Sequence, residues 1–204
     1  MDTFLKEFQP KADTTILDVG GYSGFWKNAG TSARIVILRP EGPEQLPADC
    51  PPNISSIQGD GCALSEHADK SFDIVFSNSV IEHVGGMERQ REFAQEAMRV
   101  GRCLWIQTPA REFPIEPHLL TPFYHWFPRR FQERFFRWTV WGLLQSHRPT
   151  LAEYEEHTRA YMLSRSDMRA LFPRATIVTE RFLGWPKSYA ACMSPFHKNV
   201  DPRI

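Results

Sequence analysis

Apolar and polar positions along this chain fall into blocks of two kinds. Short apolar runs recur at Ile16-Leu17-Asp18-Val19, Ala33 to Leu38, Ile54 to Gln58, Ser71 to Asn78 and Cys103 to Gln107, each of strand length. The fourth run, Phe72-Asp73-Ile74-Val75-Phe76, reads as a strand buried on both faces and ends in a polar tip at Ser77-Asn78. Between the runs lie helical stretches: one from the glycines after Val19 to about Asn28, another from about Met87 to Met98 that Gly85-Gly86 opens. Pro40 and Gly42, then Gly59-Asp60-Gly61, then Pro109 stop the second, third and fifth strands. Strands alternating with helices predict parallel pairing with right-handed crossovers.

The last third has another texture. From Pro109 to Pro149, prolines, histidines, aromatics and arginines crowd together, which predicts an insertion over the strand tips. A helix over Ser164 to Leu171 follows, with Ser164 as N-cap and Phe172-Pro173 as the stop. Ala175 to Phe182 and Ser188 to Met193 read as two final strands.

Candidate chemistry begins at the first strand. Asp18-Val19-Gly20-Gly21-Tyr22-Ser23-Gly24 is a strand end, a glycine turn and a helix start, with Ser23 placed to cap the helix. Such a turn lets a ligand approach the backbone closely. The spacing fails G-x-G-x-x-G, because Tyr22 stands where the second glycine belongs, and no G-K-[ST] follows. A carboxylate at Asp18 would repel phosphates but suits an ammonium or hydroxyl ligand, or the ordering of the loop.

On Asp18, Gly20 and Gly24 the chain resembles the class I S-adenosylmethionine-dependent methyltransferases, whose first motif is [DE]-x-G-x-G-x-G; Tyr22 departs at the middle glycine. The resemblance implies a Rossmann-like, doubly wound, mostly parallel seven-stranded α/β sheet. It would end in an antiparallel C-terminal hairpin, carry the helical insertion after strand five, and form one domain over residues 1–204. It implies S-adenosylmethionine as cofactor, held by Asp18, Gly20, Gly21, Tyr22 and Gly24. Asp60 with Gly61 matches the acid that meets the adenine amino group, against a plain turn role for Asp beside Gly. Ser77 and Asn78 occupy the fourth-strand position that lines the methyl-transfer site. On strand two the usual ribose-binding acid is replaced by Arg39, leaving Glu41 to reach the ribose from a longer turn or Arg39 to pack over the adenine.

Two histidine segments carry the expected catalysis. Ser79-Val80-Ile81-Glu82-His83-Val84 resembles the stretch after strand four in small-molecule methyltransferases, where His83 would take a proton from a hydroxyl or pack under the site. Glu116-Pro117-His118 through Pro128 resembles a segment of bacterial methyltransferases of cell-surface glycan and lipid pathways. It offers His118 as a base or substrate donor, and His125 as a packing residue. The acceptor would be a small molecule, a glycan or a lipid-linked compound, methylated at oxygen. No metal is assigned.

Composition narrows the partners. Lysine plus arginine equal aspartate plus glutamate at 24 each, so no global field recruits nucleic acid. The 204 residues, 42% apolar, suffice for one substantial core. The scattered Cys50, Cys62, Cys103 and Cys192 suit a reducing compartment, and no leader or membrane span is read, so a cytoplasmic location is expected. Phe127, Phe131, Phe135 and Trp138 recur along one helical face beside Arg130, Arg134 and Arg137. Residues 123–144 thus offer a peripheral contact at the inner membrane surface or a cap over an apolar substrate, against a core face with solvated arginines or a dimer contact. A binding protein that keeps the fold without turnover is the alternative function.

Overall fold

The computed structural model describes residues 1–116 and 119–194. The apolar runs become β1 (Thr15–Val19), β2 (Arg34–Arg39), β3 (Ile54–Gln58), β4 (Phe72–Asn78) and β5 (Gly101–Pro109). With β8 (Thr176–Phe182) and β9 (Trp185–Met193) they form one seven-stranded sheet in the order β3-β2-β1-β4-β5-β9-β8. The first five strands pair in parallel, and β9 runs antiparallel to both β5 and β8. This is the expected doubly wound α/β sheet with its C-terminal hairpin.

Period-two alternation explains why both faces are covered. On β4, Ile74 and Phe76 join a cluster with Ile16 and Ile35, while Val75 points to the other face, among Leu17 and Leu104. Helix α3 (Met87–Val100) covers the second face with Phe93, Ala94, Ala97 and Val100, one helical stripe. It runs directly into β5 at Gly101, where an added Cβ would lie 2.7 Å from the Val75 side chain. The first face is covered by α2 (Ser23–Lys27) and by α1 (Asp2–Phe8), a helix absent from the sequence reading. Its two buried rings, Phe4 and Phe8, are four residues apart and meet Phe76 and Trp105.

The insertion after β5 extends past Pro149. It comprises a short ribbon of β6 (Ile115–Glu116) and β7 (Thr121–Pro122), then α4 (Arg129–Phe135), α5 (Val140–Leu144) and α6 (Leu151–His157). Leu119, Tyr124, Phe136 and Tyr154 make its own small core.

Helix α7 (Arg165–Leu171) starts as expected. The Asp167 amide donates to Ser164 Oγ at 3.2 Å, and the Ser164 amide donates to the Asp167 carboxylate at 2.8 Å. Ser164→Ala should therefore cost about 1 kcal/mol, read as a lower denaturation midpoint with an unchanged slope. At α2 the expected cap is corrected. Tyr22 takes the N-cap position without a side-chain bond, and Ser23 is the first helical residue. The capping acceptor comes from the connection between β2 and β3: Ser23 N and Oγ both donate to the Glu44 carboxylate at 2.7 Å.

Candidate functional site

The glycine turn is fastened on both sides before any ligand arrives. Ser77 Oγ donates to the Val19 carbonyl at 2.9 Å, and the Gly20 amide donates to the Leu38 carbonyl at 2.8 Å. Gly20 has φ +78°, in the left-handed region, and a Cβ there would meet Val80 at 2.7 Å. Gly21 is still more constrained, because its Cβ would fall 1.7 Å from Asp18 Oδ2. The Asp18 carboxylate is thus tucked directly against the turn.

Asp18 is 1% exposed. Trp26 Nε1 donates to its Oδ2 at 2.5 Å, while its Oδ1 has no hydrogen-bond partner among the described residues. Burial pushes its pKa up to about 7; the Trp26 bond opposes that rise and the negative charge of Glu44 adds to it. Asp18 therefore sits at the boundary between proton donor and anion near neutral pH. Tyr22, the departure from the motif, lies outside this pocket. Its ring is 56% exposed and folds over Gly24, where a Cβ would come within 3.2 Å of it. Tyr22 and Gly24 are thus mutually dependent.

The other candidate positions gather at the carboxyl ends of neighbouring strands, where open parallel sheets bind ligands. At the tip of β2, Arg39 Nε lies 3.8 Å from the exposed Glu41 carboxylate. At the tip of β3, Asp60 Oδ1 accepts the Cys62 amide at 2.9 Å and Oδ2 accepts Arg89 at 2.6 Å. Burial raises the Asp60 pKa, but the Cys62 amide and Arg89 outweigh it and hold it below its usual value. Asp60 is therefore an anion, fixed by its own turn and by the first turn of α3. Gly61 has no room for a side chain, since a Cβ would lie 2.6 Å from Val19. Asn78 is exposed at the tip of β4. Its neighbour Ser77 is wholly buried, and its hydroxyl donates to the Val19 carbonyl, so its side chain fastens the turn. Strand alternation sends Ser77 and Asn78 to opposite faces.

In the segment after β4 the acid, and not the histidine, is the residue packed under the site. Glu82 is the residue packed beneath, wholly buried and accepting Thr108 Oγ1 at 2.9 Å. His83 is exposed, its Nδ1 3.3 Å from the Arg159 carbonyl. The Tyr161 amide donates to the Glu82 carbonyl at 2.7 Å, so the exit of the insertion is joined to this segment. Above that junction opens a cavity of about 710 Å³, lined among others by Tyr124, His125, Arg129, Arg159 and Tyr161. His125 is half-buried, with Nε2 3.2 Å from the Arg111 carbonyl. His118 lies outside the described residues. Glu44, Arg89, Arg159 and Tyr161 escaped the sequence reading. Of these, only Arg89 carried a local signal, its i,i+3 spacing from Glu92.

The site has the chemistry that an adenosyl amino acid needs. A buried carboxylate with one uncommitted oxygen lies under the turn, and further acids, Glu41 and Asp60, stand at the next two strand tips. Among the described residues no group of three or more His, Cys, Asp or Glu side chains is placed to hold a metal ion.

Comparison with known proteins agrees with this layout. Residues 36–103 match the family model described as a methyltransferase domain. That segment begins after the glycine turn and contains the tips of β2, β3 and β4, so the match is independent of the motif read from the sequence. No curated protein matches the chain. An S-adenosylmethionine-dependent methyltransferase from Archaeoglobus fulgidus superposes with a TM-score of 0.56 at 12% identity, over 94% of this chain and 90% of that one. A Rhodobacter sphaeroides protein described as a Zn-dependent alcohol dehydrogenase gives 0.58 at 15% identity, over 94% and 87%. Haemonchus contortus phosphoethanolamine N-methyltransferase 2, solved with phosphomonomethylethanolamine and S-adenosylhomocysteine, gives 0.55 at 14% identity, over 87% of this chain but 38% of that one. At these identities the likeness is one of fold: a seven-stranded, mostly parallel Rossmann-like sheet that this chain shares with S-adenosylmethionine-dependent methyltransferases.

Proposed function

We propose that this chain transfers a methyl group from S-adenosylmethionine to the oxygen of a small-molecule, glycan or lipid-linked acceptor. The observation that carries the reading is the row of ligand positions on four adjacent parallel strands, with the buried Asp18 at its centre. Asp18 would hold the cofactor's ammonium end through the Gly20-Gly21 turn, Glu41 the ribose and Asp60 with Gly61 the adenine, with Asn78 toward the methyl.

Bound S-adenosylmethionine supplies a methyl carbon on a sulfonium leaving group. The protein aligns the acceptor and excludes water. The cavity within the insertion is the acceptor's place in this reading, because its wall residue Tyr161 donates its amide to the Glu82 carbonyl, in the segment that follows the β4 tip. A histidine imidazole takes the hydroxyl proton as the oxygen–carbon bond forms. His118 and then His83 are the candidates; His83 stands exposed on the segment that follows the β4 tip.

Calorimetry with S-adenosylmethionine, followed by transfer of labelled methyl to fractionated lysate, tests the proposal. Absence of binding sinks it. If a histidine is the base, its alanine variant should lower turnover about 10²-fold or more with little change in cofactor affinity. A second reading, binding without turnover, is motivated by the departures at two cofactor positions, the exposed Tyr22 in the glycine turn and Arg39 at the β2 tip. Binding with no labelled product in any fraction would select it.

A further inference from the structure

The insertion turns its apolar residues outward. Helix α4 buries none of its residues, and the rings of Phe127, Phe131 and Phe135 form an exposed ladder with centroids 4.6 and 4.5 Å apart. Farther along, Trp138 is 76% exposed, Leu143 67% and Leu144 73%. The ring that packs into the insertion's core is Phe136, one residue past Phe135. Scattered exposed hydrophobes are ordinary, but a row of touching rings is not.

A second protrusion adjoins it. The β8–β9 hairpin exposes Phe182, Leu183 and Trp185, and the Trp185 ring lies 6.3 Å from that of Trp126. β9 begins beside the end of β5, with Ser188 opposite Pro109, so both protrusions leave the sheet at the carboxyl edge that carries the candidate site.

Charge selects the occupant. The stretch that carries the exposed rings, residues 119–150, holds five arginines, Arg129, Arg130, Arg134, Arg137 and Arg148, against the single acid Glu133, while the insertion's further acids, Glu116 on β6 and Glu153, Glu155 and Glu156 on α6, flank it. Arg129 is paired with both Glu133 and Glu155, so the basic character of this face rests on the exposed Arg130 and Arg134. A two-fold contact with a second copy would set these arginines against their own images. Exposed leucines add nothing to nucleic-acid binding. Aromatic rings and leucines beside guanidinium groups suit the boundary between anionic headgroups and acyl chains. No described helix is long and apolar enough to cross a membrane, so the contact is one of surface docking.

We propose that the insertion and the hairpin tip together dock on an anionic lipid bilayer, which brings the site edge of the sheet to the membrane. This inference stands apart from methyl transfer and can be tested without cofactor. The experiment is co-sedimentation of the full chain with vesicles of phosphatidylcholine, alone or mixed equally with phosphatidylglycerol. Binding is expected to the mixed vesicles, with a blue shift of tryptophan emission. It should weaken about tenfold or more when salt rises from about 0.1 to about 0.5 M. An Arg130→Glu, Arg134→Glu variant should lose about tenfold or more in affinity. A Phe131→Ser, Trp138→Ser variant should lose binding even at low salt. All four side chains are exposed, so unchanged melting curves will show that the fold is intact. Absence of binding to anionic vesicles, or equal binding by folded variants, overturns the proposal. So does a dimer in light scattering that Phe131→Ser, Trp138→Ser converts to monomer, which would assign the face to a second copy.

Discussion

Gly21→Ala should abolish S-adenosylmethionine binding, whereas Gly86→Ala should leave it intact. At Gly21 a Cβ would lie 1.7 Å from Asp18 Oδ2 and 2.3 Å from its Cγ. Both atoms belong to a carboxylate that has no other place to go, being buried and bonded to Trp26. Either the carboxylate leaves the turn, losing the indole bond, or the turn moves off the β1 tip that Ser77 and Leu38 fasten. Each disturbs the surface a ligand would use. Overpacking of this kind costs about 1–3 kcal/mol, or roughly 2–12 °C in melting temperature for a chain of this size. Calorimetric affinity should fall by more than about 100-fold, the order of magnitude at which a displaced site group loses its ligand bonds. Gly86 is the control, since nothing stands within 4 Å of its Cβ and its φ of −69° suits any residue. Normal binding by Gly21→Ala would remove the turn from the site.

Asp18→Asn should separate stability from binding by pH. The wild-type carboxyl has a folded pKa raised to about 7 from 3.8. The folded protein therefore holds a proton that the unfolded chain has already lost between about pH 4 and pH 7. Stability from this group is fully present at pH 4 and declines as pH rises, ending near pH 7, with a total of a few kcal/mol. Asparagine carries no such penalty, so the ligand-free variant should melt above the wild type at pH 8, with the gap closing toward pH 5. Binding should move the other way. If the ionised carboxylate meets the cofactor's ammonium, wild-type affinity should rise about tenfold per pH unit up to about pH 7 and then level. Asp18→Asn should bind weakly with a flat profile. Thermal melts and titration calorimetry across that range measure both, and parallel profiles for the two proteins would refute the assignment.

Much of the framework is readable from residue order. The run Phe72 to Phe76 is too apolar on both faces to be anything but a central strand, and β4 has the same ending at Asn78. Ile54–Gln58 appears as expected, and Ser164 with Asp167 marks a helix start that needs no distant partner. Helix α1 was missed because its seven residues have little pattern of their own; its existence depends on Phe4 and Phe8 finding Phe76 and Trp105 far along the chain. The candidate site divides in the same way. Asp18, Gly20, Gly21, Gly24 and Asp60 are visible because turns demand glycine and because acids at strand ends are unusual. Glu44 was not, since it reaches Ser23 across 21 positions through a loop whose path no local rule dictates.

By itself, then, the sequence determined the strands, their parallel order of succession, the glycine turn and the spacing of the aromatic stripe in the insertion. These depend on local backbone sterics and on the periodicity of burial. Only the tertiary structure decided that Asp18 is held at the edge of ionisation, that Ser77 serves the turn from within, that Glu82 and not His83 is buried, and that the aromatic stripe faces outward. Periodicity can say that residues share a face, but not whether solvent or another element covers it. Burial, and with it the charge state of a carboxyl, depends on groups that the chain brings together only when it folds.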